Sequence, residues 1–162
     1  MQKETAFTSI IKDNEGIIYK ITRIYSNTED DQKDLYQEVV YQLWKGFENF
    51  RGDSKVSTWM YRIALNTALL HRKKEMRKGY KVSLDGIVLT EENYDPVLEE
   101  RLALVYKMIK SLKDIDKGII LLFLEGKKYE EISEITGLST SNVGTRMARI
   151  KEKLKSQVTN NY

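Results

Sequence analysis

The chain has 162 residues, of which 41% are hydrophobic and 31% are charged. That composition is typical of a folded globular protein and excludes a disordered or membrane-embedded one, because no apolar run approaches the roughly 20 residues that cross a bilayer. The lack of cysteine excludes a disulfide framework and thiolate metal sites. Together with a first segment that has no signal-peptide pattern, it predicts a cytoplasmic protein.

The net charge of +3 is distributed unevenly along the chain. Residues 1–76 carry a net charge of +1, residues 77–100 a net charge of −3, and residues 101–162 a net charge of +5. A basic end segment favours a polyanionic partner such as a nucleic acid. The acidic middle stretch also contains two glycines and the only proline, and it lacks helical periodicity. We therefore predict two domains, 1–76 and 99–162, joined by a linker over 77–98.

The spacing of apolar residues predicts an all-α fold, without the strict alternation that marks strands. A first helix is expected over 7–25. The pair Thr28 and Asp31 resembles a helix-opening capping pattern, so a second helix is expected to follow it. After a short loop, a third helix is expected over 57–76 and completes the first domain.

The second domain begins with a helix whose apolar residues, from Leu102 to Leu112, are three or four apart and therefore share one face. A second helix is expected to end near Gly126. Two shorter helices follow, one over 129–136 and one from 140 to about 156. The second domain is thus expected to contain four helices.

The last two helices form the sharpest local pattern in the sequence. Gly137 suits the left-handed conformation that ends a helix tightly, and Ser139 is a good N-cap for the helix that follows. The apolar residues of that helix share one face: Val143, Met147, Ile150 and Leu154. This is the pattern of a helix-turn-helix unit, whose second helix can enter the major groove of DNA.

The opposite side of this last helix, with the turn before it, carries hydroxyl, amide and basic groups that suit base edges and phosphates. The candidate DNA-binding residues are Ser139, Thr140, Ser141, Asn142, Thr145, Arg146, Arg149 and Lys153. A helical hairpin with an ordinary solvated basic face is the alternative interpretation. Five basic residues against one acid over 140–156 favour DNA binding.

The first domain contains no catalytic arrangement of residues. His71 is the only histidine and has no metal-binding partners at ligand spacing in the sequence, and no glycine-rich phosphate loop is present. The acids near the start of the second helix are expected to favour that helix start rather than to hold a cation. We therefore expect no metal ion, no cofactor and no enzymatic activity.

Two sets of motifs stand in order along the chain. In the first domain they are Asp34-Leu35, Gln37-Glu38-Val39, Leu43-Trp44, Phe50, Thr58-Trp59-Met60-Tyr61-Arg62-Ile63-Ala64, Asn66 and Arg72-Lys73. In the last third they are Tyr129-Glu130-Glu131-Ile132, Gly137-Leu138-Ser139, Asn142-Val143 and Arg146-Met147. The first set resembles region 2 of the sigma-70 family of transcription initiation factors, and the second resembles region 4. The lack of regions 1 and 3 resembles the layout of the extracytoplasmic-function group. Met60 and Gly144 depart from the family pattern.

The resemblance implies that the first domain binds the core of RNA polymerase. The polar side of its second helix would meet the clamp helices of the largest polymerase subunit. The candidate polymerase-binding residues are Asp31, Asp34, Glu38 and Gln42. Without the resemblance, simple solvation of these side chains would be the preferred interpretation.

The resemblance further implies that a loop over 49–55 receives a base flipped out of the promoter element nearest the start site. The candidate residues for this proximal element are Arg51, Lys55, Trp59, Arg62, Asn66, Arg72 and Lys73. Trp59 is a core residue, a stacking surface or both, and we expect it to be mainly core. Arg62 as a plain surface charge remains an alternative.

The function that the resemblance implies is that of a sigma factor, which directs promoter recognition, promoter opening and transcription initiation. The expected partners are the RNA polymerase core and promoter DNA, an anti-sigma factor is a further candidate partner, and no membrane insertion is expected. The alternative is a helix-turn-helix transcription regulator that acts alongside another sigma factor. A small nuclease would need a carboxylate or histidine metal cluster, which the sequence does not offer.

Overall fold

The computed structural model describes residues 2–77 and 95–160. The chain divides into two units, residues 1–84 and residues 85–162. Every regular element within the described ranges is an α-helix, as the apolar spacing predicts. No helix there is both long enough and apolar enough to cross a membrane.

Two short helices open the first unit, α1 (Gln2–Asp13) and α2 (Glu15–Ile24). The prediction of one continuous helix over 7–25 is therefore wrong. The break lies at Asn14, whose side-chain amide donates a hydrogen bond to the carbonyl of Ile10 at 2.9 Å. Asparagine competes with regular helical bonding through such contacts, and this explains the division.

Two longer helices, α3 (Glu29–Phe47) and α4 (Val56–Arg77), form the main body of the first unit. The hydroxyl of Thr28 accepts a hydrogen bond from the Asp31 N–H at 3.0 Å, so the predicted cap of α3 is confirmed. The helices pack closely near Gly46, where a Cβ atom would lie only 3.1 Å from Ile63 Cδ1. The core between α2, α3 and α4 includes the fully buried side chains Ile18, Ile21, Leu35, Val39, Leu43, Met60, Ala64 and Ala68.

An aromatic cluster closes one end of the first unit. Phe7 of α1 meets Trp44 and Phe47 of α3 edge to face, with ring centroids 5.0 and 5.5 Å apart. Such pairs contribute about 0.5–1.5 kcal/mol each beyond burial of their area. The same cluster continues to Trp59 of α4, so it ties α1 to the beginning of α4.

The second unit contains four described helices, α5 (Pro96–Lys110), α6 (Asp114–Leu124), α7 (Tyr129–Thr136) and α8 (Thr140–Asn160). The predicted linker over 77–98 lies mainly outside the described residues. At its two ends this prediction is wrong: Arg77 belongs to α4, and residues 96–98 belong to α5 because the Asp95 carboxylate accepts hydrogen bonds from the N–H groups of Val97 and Leu98. The core of this unit includes Ile119, Leu122, Ile132, Ile135, Val143, Met147 and Ile150.

Candidate functional site

The turn between α7 and α8 fixes how α8 is presented. Gly137 adopts the left-handed conformation with φ of 80°, and its N–H donates to the Ser133 carbonyl at 2.9 Å. The hydroxyl of Ser139 accepts from the Asn142 N–H at 3.1 Å and so caps α8. Both roles predicted for this turn are therefore present, and α7 and α8 form a helix-turn-helix unit.

One side of α8 is buried and the other is open to solvent. Val143, Met147 and Ile150 pack into the core of the second unit. Seven of the predicted DNA-binding residues are exposed: Ser139, Thr140, Ser141, Asn142, Thr145, Arg149 and Lys153. The eighth, Arg146, is half-buried. The fold thus places the eight on the turn before α8 and along the side of α8 away from its buried row.

Two of the basic residues on α8 are held by other parts of the second unit. Arg146 donates from Nη1 to the Asp116 carboxylate of α6 at 3.0 Å and from Nε to the Asn142 amide oxygen at 3.2 Å. Lys153 donates to the backbone carbonyl of Ser111 at 3.1 Å. Helical spacing does not predict Asp116 in α6, or Ser111 in the turn before α6, as a partner of α8. Packing of the second unit brings both to this helix.

In the first unit, an open groove runs between α3 and α4. Asp34, Glu38 and Gln42 line it from α3, and Gln42 donates to the Glu38 carboxylate at 3.1 Å. The α4 side contributes the apolar side chains of Ile63 and Leu70, together with polar groups from Asn66, Thr67, His71 and Lys74. Three of the four predicted polymerase-binding residues therefore share one surface with Asn66, a predicted promoter-binding residue.

The fourth predicted polymerase-binding residue, Asp31, has a different environment. Its carboxylate lies 2.8 Å from Nε2 of His71, and both side chains are mostly shielded from solvent. Burial alone would raise the pKa of Asp31, but that pKa is lowered, because the hydrogen bond and charge of His71, the backbone hydrogen bond from Asn27 and the charge of Arg72 together outweigh burial. The hydrogen bond with Asp31 raises the pKa of His71.

His71 therefore has partners that sequence spacing did not reveal. Potential ligand atoms of Asp31, His71 and Glu75 lie within 4.8 Å of one another. A cation held there would have to replace the existing bond between the carboxylate and the imidazole, and the charge of Arg72 acts on the same carboxylate. The observed arrangement is that of a hydrogen-bonded carboxylate and imidazole, which joins the beginning of α3 to the end of α4.

The loop before α4 is anchored by stacked aromatic rings. Phe50 lies against Trp59 with ring centroids 4.8 Å apart, and Trp59 is only 8% exposed. The backbone N–H of Trp59 donates to the Lys55 carbonyl at 3.1 Å. Arg51 and Lys55 are exposed in this loop. Two positively charged side chains therefore lie on the loop that Phe50 packs against Trp59.

The remaining candidates follow α4. Asn66 and Lys73 are exposed, and Arg62 is half-buried on the same side of the helix. Arg72 is also half-buried, but it is one residue from Lys73 and so points about 100° away around the helix. Arg62, Asn66 and Lys73 therefore form one row along α4. Arg72 lies next to this row and is not part of it.

Comparison with known families finds two matches. Residues 10–78 match the family profile of Sigma-70 region 2, and residues 102–154 match that of Sigma-70, region 4. The first covers α2 to α4, including the groove and the basic loop. The second covers α6 and α7 and most of α5 and α8, including the helix-turn-helix unit.

Individual relatives extend this similarity along the chain. The chain is 31% identical over 143 residues to the "ECF RNA polymerase sigma-E factor" of Escherichia coli (strain K12), covering 79% of this chain and 74% of that protein. It is 29% identical over 153 residues to the "RNA polymerase sigma factor SigV" of Bacillus subtilis (strain 168), covering 92% of this chain and 89% of that protein.

Solved structures share the fold. One is CnrH in complex with the cytosolic domain of CnrY, with a TM-score of 0.72 and 19% identity over 98% of this chain and 91% of that chain. Another is the sigma factor RpoE of Bartonella quintana in complex with the anti-sigma factor NepR, with a TM-score of 0.74 and 17% identity over 96% of each chain. These identities are low, so the two structures support the all-α architecture alone.

Proposed function

The chain belongs to the sigma-70 family, in its extracytoplasmic-function group, and we propose that its two units divide the work of a sigma factor between them. As an RNA polymerase sigma factor, it directs the polymerase to promoters. We assign core binding and the proximal promoter element to the first unit. We assign the distal promoter element to the second. The order of the two matched regions, each on its own helical unit, is the observation that carries this proposal.

In the second unit, α8 is the helix that enters the major groove. Its exposed hydroxyl, amide and basic groups lie opposite the buried row of Val143, Met147 and Ile150, so the helix can face DNA without losing its packing. Side chains near its beginning would contact base edges, while Arg149 and Lys153 further along would contact phosphates. The candidate residues for the distal element are Ser139, Thr140, Ser141, Asn142, Thr145, Arg146, Arg149 and Lys153.

In the first unit, the acidic side of α3 is the surface proposed for the polymerase core. Asp34 and Glu38 are exposed on the groove, where a basic partner surface could reach them. Gln42 extends the same polar row. Asp31 is the least accessible member, because His71 already holds its carboxylate. We therefore expect Asp31 to contribute by holding the helix ends together more than by direct contact.

The loop over 49–55 and the adjacent side of α4 are proposed to bind the opened proximal element. Flipping a base out of the duplex costs a few kcal/mol, which new contacts must offset. Arg51 and Lys55 supply positive charge, and Phe50 on Trp59 supplies a rigid base for the loop. The strand would then follow the α4 row of Arg62, Asn66 and Lys73, with Arg72 adding to the positive field.

We propose further that the protein has no chemistry of its own and that the polymerase performs catalysis. It is proposed to act in the cytoplasm, where the polymerase and the promoter are found. An anti-sigma factor is a candidate partner, since the sigma factor RpoE of Bartonella quintana, which shares this fold, forms a complex with one.

Run-off transcription with purified core polymerase tests the proposal against the alternative of a regulator that needs another sigma factor. With this protein as the only added factor, we expect transcripts from a specific subset of a promoter library. Transcripts that appear only when a second sigma factor is present would overturn the proposal. Arg149→Ala should reduce the specific transcripts, and Lys107→Ala, an exposed loss of a basic side chain on α5 outside the helix-turn-helix unit, serves as the matched control.

A further inference from the structure

We propose that Asp116 is a specificity-determining residue, which acts through Arg146 to orient the amide of Asn142 toward the distal promoter element. Asp116 lies in α6, outside the helix-turn-helix pair, and would not itself touch DNA. The inference rests on the proposed function of α8 as the DNA-reading helix. It adds a specific account of how one position of the DNA is read.

The first link is an ion pair between two helices. The Asp116 carboxylate is only 15% exposed and accepts from Arg146 Nη1 at 3.0 Å. A charge-assisted hydrogen bond of this kind is stronger than a neutral one, and partial burial reduces its screening by salt. This bond holds the guanidinium of Arg146 against α6.

The second link is directional. Arg146 Nε carries a single hydrogen and donates it to the Asn142 amide oxygen at 3.2 Å. Because Nε–H can only donate, the oxygen of the amide must face Arg146 and the NH₂ group must face away. The backbone of Asn142 is fixed as well, since its N–H donates to the Ser139 hydroxyl at 3.1 Å.

The consequence is a defined pattern of hydrogen-bonding groups at the exposed beginning of α8. An asparagine that reads adenine uses its oxygen to accept from N6 and its NH₂ to donate to N7. With its oxygen turned toward Arg146, only one lone pair of that oxygen is left for DNA, so Asn142 presents mainly the two donors of its NH₂ group. It should therefore favour base edges that only accept, above all guanine, which offers N7 and O6 in the major groove.

The competing explanation is that the ion pair of Asp116 and Arg146 only stabilises the packing of α6 against α8. Such a purely structural contact would affect stability, and its loss would weaken binding to all DNA sequences alike. An orienting role instead predicts a change confined to one base position, which must be the position that Asn142 reads. The base preference is therefore the measurement that separates the two roles.

The experiment measures binding of the full-length protein with core polymerase to a promoter library in which the distal element is randomised. Asp116→Asn removes the charge with little change of shape, and we expect preference at one position to fall roughly tenfold, with adenine newly accepted. Asn142→Ala should weaken base preference at the same position. The double variant, with Asp116→Asn and Asn142→Ala, should be no less selective than Asn142→Ala alone. Arg146→Lys keeps the charge but loses the Nε–H donor, so it should behave like Asp116→Asn.

The remaining outcomes are distinct. The orienting role would be overturned if Asp116→Asn lowered affinity uniformly, or if it relaxed base preference at a different position from Asn142→Ala. The contact would then be purely structural. Arg149→Ala tests α8 independently, and Glu100→Gln, an exposed change on α5, is the control for removal of an acid from the same unit. If neither Asn142→Ala nor Arg149→Ala changes binding, the assignment of α8 to DNA fails together with the inference. If both change it and Asp116→Asn does not, the inference alone fails.

Discussion

At the scale of single residues, the pair of His71 and Asp31 makes the stability of the first unit depend on pH. The folded-state pKa of His71 is raised, so its contribution is fully present below the ordinary histidine pKa of 6.5 and is lost as pH rises through the raised value. The folded-state pKa of Asp31 is lowered, so its contribution is present above 3.8 and is lost as pH falls through the lowered value. The charges of Glu75 and Asp34 also raise the pKa of His71, and the charge of Arg72 also lowers the pKa of Asp31, so all three act in these same directions.

We therefore expect His71→Gln to destabilise the protein more at about pH 5.5 than at about pH 8.5, because only a charged imidazole gains from the Asp31 carboxylate. Urea unfolding of wild type and variant at both values measures this difference. Asp31→Asn should remove the same dependence, whereas Glu29→Gln on the same helix should not. An equal loss of stability at both pH values would show that the pair is not ionised in the folded state.

The same residues show where prediction from sequence stops. The sequence singles out Arg146, Asn142 and His71 as individual side chains and predicts that the first two face solvent; Asn142 is exposed, whereas Arg146 is half-buried. Their partners Asp116 and Asp31 lie 30 and 40 residues away along the chain. Helical spacing relates residues three or four apart, and so it cannot reveal contacts that only packing creates.

At the scale of elements, the two glycines around the beginning of α8 should respond oppositely to alanine. Gly137 has φ of 80°, which a side chain disfavours by about 1–2 kcal/mol, so Gly137→Ala should destabilise the second unit. Gly144 lies inside α8, and its nearest neighbours to a Cβ atom are ring carbons of Tyr129 at 3.7 and 3.9 Å, an ordinary contact. Gly144→Ala should therefore stabilise the helix by about 0.5–1 kcal/mol.

Chemical unfolding of both variants, followed by helical circular dichroism, checks this pair of predictions within one unit. Each variant is the control for the other, because both add one methyl group near the same turn. Destabilisation by both changes would mean that a methyl group at position 144 disturbs the packing of α8 against Tyr129. Stabilisation by both would contradict the left-handed conformation of Gly137.

The elements themselves were predictable to different degrees. The bounds of α7 and the cap of α3 follow from Gly137 and Thr28, which act on their own neighbours. The division of the first helix at Asn14 was missed, because the apolar residues on both sides keep nearly the same phase. A side-chain bond to the preceding turn, rather than a glycine or proline, makes that break, and the apolar pattern carries no sign of it.

At the scale of the whole molecule, the all-α architecture and the function could be predicted because family motifs and helical periodicity agree along the chain. The assignment of individual residues to polymerase, proximal element and distal element remains a prediction. It implies that substitutions can impair polymerase binding by the first unit and distal-element binding by the second unit independently. Substitutions on the α3 surface should affect the polymerase, and substitutions on α8 should affect the distal DNA element.

We expect Asp34→Lys and Glu38→Lys each to weaken binding to core polymerase, since reversing an exposed interfacial charge replaces attraction with repulsion and can cost several kcal/mol. Both side chains are exposed, so the fold should persist. Fluorescence anisotropy with labelled core measures this affinity, and Asp13→Lys, an exposed reversal in the same unit outside the groove, is the control. Binding of the same variants to distal-element DNA should be unchanged. Arg149→Ala should show the opposite pattern, with normal affinity for core. Because Arg149 is proposed to contact phosphate, its loss should lower the affinity for every DNA sequence alike and reduce the salt slope. If the α3 reversals reduce DNA binding as much as core binding, the acidic surface is not specific to the polymerase and its assignment must be abandoned.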